Sequence, residues 1–406
     1  MNAICLVIDR LHAGYLGACG NTWIETPAFD RLAAESFVFD QTLVDTPRLE
    51  TLYCSYWLGR HAIVSRSAEG GPTLPGLLRD VGVNTTLVTD ERLLWEHPLA
   101  VEFDDVAAID PPLRAGMAPD GRFEQTHLAR CFVEIIDRLQ GARRPLLLWC
   151  HLGSLGTTWD APWEFRHRYW LEGDPLPSRS ADVPDRLLAE DHDPDEVLGF
   201  SQAYAGQVSL WDTCLGGFLQ ALEEHPAAQE TLLVLTGARG FPLGEHRRLG
   251  PCDEALYAEL VQVPLVLRFP ERLGAAGRSQ ALVEPADLWA TLLDAWGLAG
   301  AARSPTAATL LPWVRQQAAT PRDRLLIVGP GAQRAIRTPA WYLRMAQGSE
   351  LFVKPDDRWE VNNVAVRCLE VVECLEDAAT QYAQAIRAGV AADVPPLSRV
   401  LLEGLE

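Results

Sequence analysis

Residues 3–17 read AICLVIDRLHAGYLG. An unbroken apolar run, residues 3–8, ends in Asp9, and Arg10 follows at once. A short apolar run without alternation is how a strand covered on both faces reads. Four more such runs recur: TTLVT at 85–89, PLLLWCH at 145–151, TLLVLTG at 231–237 and PLVLRF at 264–269. Helical patterns lie between them. TPAFDRLAAES opens with Thr26 as the expected N-cap and Pro27 at the first helical position. From Val208, apolar residues return at Trp211, Leu215, Phe218 and Leu222, which is helical spacing. Strands alternating with helices predict an α/β fold with a doubly wound, mostly parallel sheet flanked by helices. Sites in such folds gather at the carboxyl ends of strands. Asp9, His151 and residues 237–239 fall there.

Residues 155–200 are rich in Pro, Asp and Trp and weakly periodic, and are expected to form a loop or lid excursion over the sheet. Its tryptophans, Trp159, Trp163 and Trp170, read as either a packed lid or a ligand or partner wall. Residues 300–322 read as a connection. RLLIVG, RAIRTPAWYLRM and ELFVK then predict a small antiparallel sheet. VRCLEVVECLEDAATQYAQAI predicts an amphipathic helix with Leu369, Val372, Ala379, Tyr382 and Ile386 on one face. The expected organisation is an α/β domain over 1–320 and a small α+β subdomain over 321–406.

The chain of 406 residues carries a formal charge of -20. That weighs against nucleic acid or an acidic membrane surface as a partner for the whole body. No apolar run approaches a membrane span, and the opening residues lack the pattern of a signal peptide. Nine cysteines are scattered with no C-x-x-C pair, so no zinc ribbon or redox motif is visible. A cytoplasmic location is the expectation. Lys354 is the only lysine, so no lysine before it can serve chemistry.

Taken in order, these motifs resemble the sulfatase family of the alkaline-phosphatase-like superfamily. LVIDRLHAGYLGACGNTWIETPAFDRLAAESFVFDQTLVDTP is similar to the family's opening strand and helix. Gly59-Arg60 resembles the end of its nucleophile motif, and LLLWCHLG its central strand with a histidine. TLLVLTGARGFPLGEHRRLG resembles the strand that ends in SDHGE, followed by LGEH. LYAELVQVPLVLRFP and ELFVKPDDRWEVNNVA resemble later elements. The resemblance implies a calcium-type cation held by carboxylates. It also implies a modified cysteine or serine nucleophile, and lysine, arginine and histidine around the transferred group.

Position by position, that set is missing here. The acidic pair is Asp9-Arg10, and a later acid used by some relatives is Gly14. The nucleophile position is Leu49, followed by Thr51, Leu52 and Tyr53 where proline, serine and arginine are expected. The metal-binding acid of the SDHG motif is Ala238, and the next ligand position is Arg239. The lysine after LGEH falls at Pro251, and the other family lysine near Thr89 or Asp90. His151 and His246 remain, but the partner of His151 is Gly156. A leucine cannot attack sulfur or phosphorus.

Asp9 is therefore either a surviving metal ligand or the partner of a buried arginine. The residues favour the latter, with Arg239 or Arg10 as partner, because a lone buried carboxylate is costly. Asp9, Arg10, Arg48, His151, Arg239 and His246 form a candidate anion pocket. The alternative is that the arginines pair with acids or face solvent, and that the histidines only pack. Thr51 and Cys54 have no metal or base in their motif to make them nucleophiles. The expected function is that of a sulfatase-like pseudoenzyme that binds a small anion or a protein partner, with no cofactor. Two alternatives stand beside it. One is an active sulfuric- or phosphoric-ester hydrolase with a rebuilt site and Ca2+ or another divalent cation. The other is a metal-independent transferase of the same superfamily.

Overall fold

The first apolar run forms β1 (Asn2–Asp9), buried along its whole length. The computed structural model describes residues 1–64, 71–111, 116, 120–141, 145–317 and 319–405. After β1 come β2 (Phe37–Leu43), β3 (Asn84–Thr89), β4 (Asp105–Ala108), β5 (Leu146–Leu152) and β6 (Arg186–Leu187). β7 (Thr231–Arg239), β8 (Arg248–Leu249), β9 (Gln262–Arg268) and β10 (Gly277–Val283) follow. The large sheet has the order β10-β2-β9-β7-β1-β5-β3-β4, and β6 and β8 form a separate ribbon. β7, β1, β5, β3 and β4 run parallel, whereas β9, the run PLVLRF, lies antiparallel to β7.

By contacts the chain forms two compact units that interleave in sequence. One holds Met1–Val38, Leu78–Asp253 and Pro264–Arg278; the other holds Phe39–Leu77, Glu254–Val263 and Ser279–Glu406. This division does not follow the sequence boundary at 320.

In the first unit, helix Pro27–Ala34 begins where Thr26 and Pro27 predict, but Thr26 does not cap it. Its hydroxyl accepts from the Gly17 N–H at 3.0 Å instead. The cap comes from Asp212, whose Oδ1 accepts from Ala28 and Phe29 N–H, each at 2.9 Å. Burial pushes the Asp212 carboxyl up to about 6, against these two bonds.

Asp212 belongs to helix Pro194–Glu224. That helix starts well before Val208, so the last turns of the expected excursion are helical, with Asp193 capping the Asp195 N–H. The excursion itself is tied down. Trp159 is fully buried, its indole donates to Leu155 C=O at 2.9 Å, and its ring packs against Tyr204 and Phe241. Arg166 is also fully buried and gathers the carbonyls of Ala161, Ser178, Ser180 and Trp159. A Cβ on Gly206 would stand 2.7 Å from the Arg166 backbone, so helix and excursion touch without a gap. Trp163 lies under the Arg179 guanidinium and Trp170 stacks on His167. The tryptophans thus pack against neighbouring side chains, Trp159 in the core and Trp163 and Trp170 half-buried.

In the second unit, β11 (Leu325–Val328), β12 (Arg334–Arg337), β13 (Trp341–Met345) and β14 (Ser349–Val353) form the small antiparallel sheet. RAIRTPAWYLRM supplies two of these strands, divided at Pro339. Helix Leu369–Ala388 packs on the sheet through Val371, Val372, Leu375, Ala379, Tyr382 and Ile386. Leu369, expected on that face, is 62% exposed, because the buried stripe starts two residues later. Lys354 is buried, and its ammonium donates to Asp357 and Arg358 C=O and pairs with Glu360 at 3.0 Å. All nine cysteines are free thiols.

Candidate functional site

β1 and β7 run side by side until the last residues. Ile8 lies opposite Gly237, but Asp9 lies opposite Arg239, so Ala238 is the extra residue of a bulge. Without the bulge Ala238 would face Asp9. With it, the Arg239 fork meets the carboxylate in two bonds, Nε to Oδ1 at 2.9 Å and Nη2 to Oδ2 at 2.6 Å. Burial pushes the Asp9 carboxyl up. The Arg239 charge and hydrogen bonds, then Arg10, outweigh that and hold it well below the usual carboxylate range. Asp9 is therefore ionised, and each of its oxygens accepts from Arg239.

Arg10 takes a left-handed backbone conformation, φ 62°, which is uncommon for a residue with a side chain. Tyr204 fixes the turn. Its hydroxyl donates to Arg10 C=O at 2.6 Å and accepts from His12 N–H at 2.8 Å. The Arg10 stem then lies over Gly156, where a Cβ would be 2.5 Å from Arg10 Cγ. Gly156 is the position at which the sulfatase resemblance calls for a second histidine. Arg10 fills that space.

His151, at the end of β5, is fully buried. Burial lowers its pKa to about 4, with Asp9 and Asp90 opposing, so the ring is neutral near pH 7. The unfolded chain binds a proton at the ordinary value of about 6.5. Between about pH 6.5 and about pH 4 it therefore takes up more protons than the folded chain, and stability falls on acidification. His151→Gln is expected to remove up to about 3 kcal/mol of that loss. Urea unfolding of both proteins across this window measures it; parallel curves would refute it.

Sequence reasoning placed Asp90 only as the locus of a lost lysine. It is a buried carboxylate at the end of β3, accepting from Gly153 N–H at 2.7 Å and lying 2.9 Å from His127 Nε2. Next to it, burial raises the Glu91 carboxyl, and the Asp9 and Asp90 charges add to that. Three carboxyl groups, Asp9, Asp90 and Glu91, thus accompany two guanidiniums, Arg10 and Arg239. The strand ends carry more acidic than basic groups and no positive excess. The sequence signal for this was the adjacent Asp90-Glu91 pair after an apolar run.

The remaining candidates have contacts of their own. His246 sits on the turn Glu245–Arg247 with φ 49°, and its carbonyl accepts from Arg248. Its neighbour Glu245 pairs with His12 Nε2 at 3.1 Å. In the second unit, Leu49 opens helix Leu49–Leu58 and is buried, while Arg48 is exposed and pairs with Glu254 at 3.4 Å. Cys54 contacts Glu50 C=O within the same helix. Gly59 is kept for a physical reason: it ends that helix at φ 60°, and a Cβ would stand 2.5 Å from Trp289.

The calcium-type centre implied by the resemblance can be tested against these residues. Calcium takes roughly six to eight oxygen ligands. Here one carboxylate holds an arginine with both oxygens, Ala238 is buried and apolar, and Arg10 stands beside it. The residues do not fit the ion.

The family model described as Sulfatase matches residues 1–298. The chain belongs to the sulfatase family. Human iduronate 2-sulfatase is 22% identical over 368 residues, covering 75% of this chain and 65% of that protein. The N-acetylglucosamine-6-O-sulfatase of Bacteroides thetaiotaomicron is 30% identical over 125 residues, 30% of this chain and 22% of that one. The chain thus spans 65% or less of the length of these curated relatives. Among solved structures, the phosphonate monoester hydrolase of Agrobacterium radiobacter superposes with a TM-score of 0.77 at 18% identity. That match covers 97% of this chain and 96% of the other. A 2-O GAG sulfatase gives 0.74 at 17% identity, covering 95% and 93%. These structures establish a shared fold. Among the described residues, no helix is long and apolar enough to cross a membrane.

Proposed function

We propose that this chain keeps the sulfatase fold without the ester-cleaving centre and acts by binding, not by turnover. The observation that carries the proposal is the two-bond Arg239–Asp9 pair, which engages the one carboxylate left from the family's cation site. Leu49 at the nucleophile position supports it. An apolar, buried residue there offers no atom for attack. Arg239 and Arg48 are paired with Asp9 and Glu254, which favours a protein partner over a small anion. Trp359, Val361, Val366 and Leu369, all exposed within one short segment, supply apolar surface suited to such a partner.

Aryl sulfate, phosphate and phosphonate esters tested with added Ca2+, Mg2+ or Mn2+ are expected to turn over at the rate of the blank. Calorimetry should show no Ca2+ uptake by the wild type, and uptake by a variant carrying Arg10→Asp, Ala238→Asp and Arg239→Asn. Hydrolysis above blank that Asp9→Ala abolishes would overturn the proposal and favour a rebuilt hydrolase.

A further inference from the structure

Two strands along the sheet from the Asp9–Arg239 pair, beyond β5, three donor side chains converge in the interior. Asp90 ends β3, and His127 and Cys131 stand one turn apart on one face of helix His127–Gly141. All three are buried, and their ligand atoms lie within 4.8 Å of one another. His127 Nε2 is 2.9 Å from Asp90 Oδ2 and 3.4 Å from Cys131 Sγ. We infer that Asp90, His127 and Cys131 form a binding site for a zinc-type divalent cation.

Three arguments carry this. The first is geometric. Tetrahedral zinc with ordinary bond lengths separates O from N by about 3.3 Å and N from S by about 3.6 Å. The O–N and N–S separations need to open by only a few tenths of an ångström, and the Asp90 oxygen and the Cys131 sulfur lie within 4.8 Å.

The second concerns hydrogen bonding. A single ring nitrogen receives both the carboxylate and the sulfur. With a proton on Nε2, the thiol S–H has no use for that nitrogen; without one, two lone pairs face each other across 2.9 Å. The other ring nitrogen, Nδ1, is buried with no hydrogen-bond partner among the described residues, so the ring's polar contacts are made at Nε2. A cation accepts all three lone pairs at once.

The third is electrostatic. Two carboxyl groups flank the site, Asp90 at the His127 ring and Asp160 at the His127 backbone N–H. A cation in this field is favourable and would deprotonate the thiol. The surroundings already hold the Asp90 carboxylate and the start of the His127 helix. Gly153 N–H donates to the second Asp90 oxygen at 2.7 Å. Asp160 accepts the His127 backbone N–H at 2.6 Å and is itself held by Gln207 at 3.0 Å. Nitrogen and sulfur donors select zinc over calcium. With three protein donors, a water completes the shell.

The test uses the full chain, equilibrated with zinc and then desalted. Metal analysis should find stoichiometric zinc in the wild type, and roughly tenfold weaker retention or less in Cys131→Ser and His127→Gln. Cobalt loading of the wild type should give a thiolate-to-metal charge-transfer band that Cys131→Ser lacks. No zinc retention by the wild type, or cobalt bound without that band, overturns the inference. If either variant melts early, the wild-type cobalt spectrum decides alone. Failure here leaves the hydrolysis result standing, since that assay contains no zinc.

Discussion

Arg239→Ala is expected to lower folding stability by about 3 to 5 kcal/mol, because it strands an ionised carboxylate in the interior. Asp9 is 3% exposed, and each of its oxygens accepts from Arg239. Removing the arginine leaves burial opposed by Arg10, and the carboxyl moves up toward its protonated form. The deficit should therefore shrink as pH falls. In the wild type, the depressed Asp9 contributes stability above its unfolded pKa of about 4 and loses it as pH falls through the folded value. In the variant that contribution is gone at neutral pH. Replacing both partners, Asp9→Leu with Arg239→Met, should recover most of the loss, since an apolar pair of similar volume carries no desolvation penalty. Urea unfolding of the two single variants and the double variant gives the coupling directly. A loss below about 0.5 kcal/mol in Arg239→Ala would mean that water already solvates this carboxylate.

Arg166→Met is expected to release the segment between residues 155 and 193 while leaving the large sheet folded. Arg166 has no exposed surface, and its donors go to four carbonyls drawn from both ends of that segment. Burial lowers its pKa to about 10, opposed by Asp160, so it remains charged at neutral pH. A methionine fills similar volume but leaves four buried acceptors unmade, each costing about 1 kcal/mol or more. The sum, roughly 4 kcal/mol, exceeds what a segment with little secondary structure can absorb locally. Arg166→Lys should not rescue it, because one ammonium lacks the planar spread of a guanidinium. Limited proteolysis read by mass spectrometry should show new cuts in this segment, with the far-UV spectrum nearly unchanged. Identical cleavage patterns in variant and wild type would refute the role.

Five of the eight strands of the large sheet, β1, β3, β5, β7 and β9, were legible because they are largely buried and continuous apolar runs have few other readings, whereas β2, β4 and β10 carry no such run. The Asp9–Arg239 pair was legible for a related reason: both residues end such runs. What made the pair bidentate was not legible. It depends on the bulge at Ala238, which only the finished ladder shows. Nor could spacing reveal that Arg10 would turn left-handed and lie over Gly156, since Tyr204, far along the chain, holds that turn. Thr26 looked like a helix cap, yet Asp212 caps the helix and Thr26 serves a neighbouring turn. The early start of helix Pro194–Glu224 was hidden by the Pro- and Asp-rich residues before it, although Asp193-Pro194 is itself a start signal. Asp90, His127 and Cys131 are distant in sequence and meet only through the packing of a helix on β3.

The buried position of Lys354 reaches beyond its own salt bridge. It is the only lysine of the chain, and its nitrogen is occupied by Asp357, Arg358 and Glu360. Modification at lysine, by acylating reagents, acetyl- or methyltransferases or ubiquitin ligases, requires an accessible ε-amine, and Lys354 in the folded chain does not offer one. Regulation of its abundance or contacts by lysine modification is closed to this protein unless the small sheet first opens.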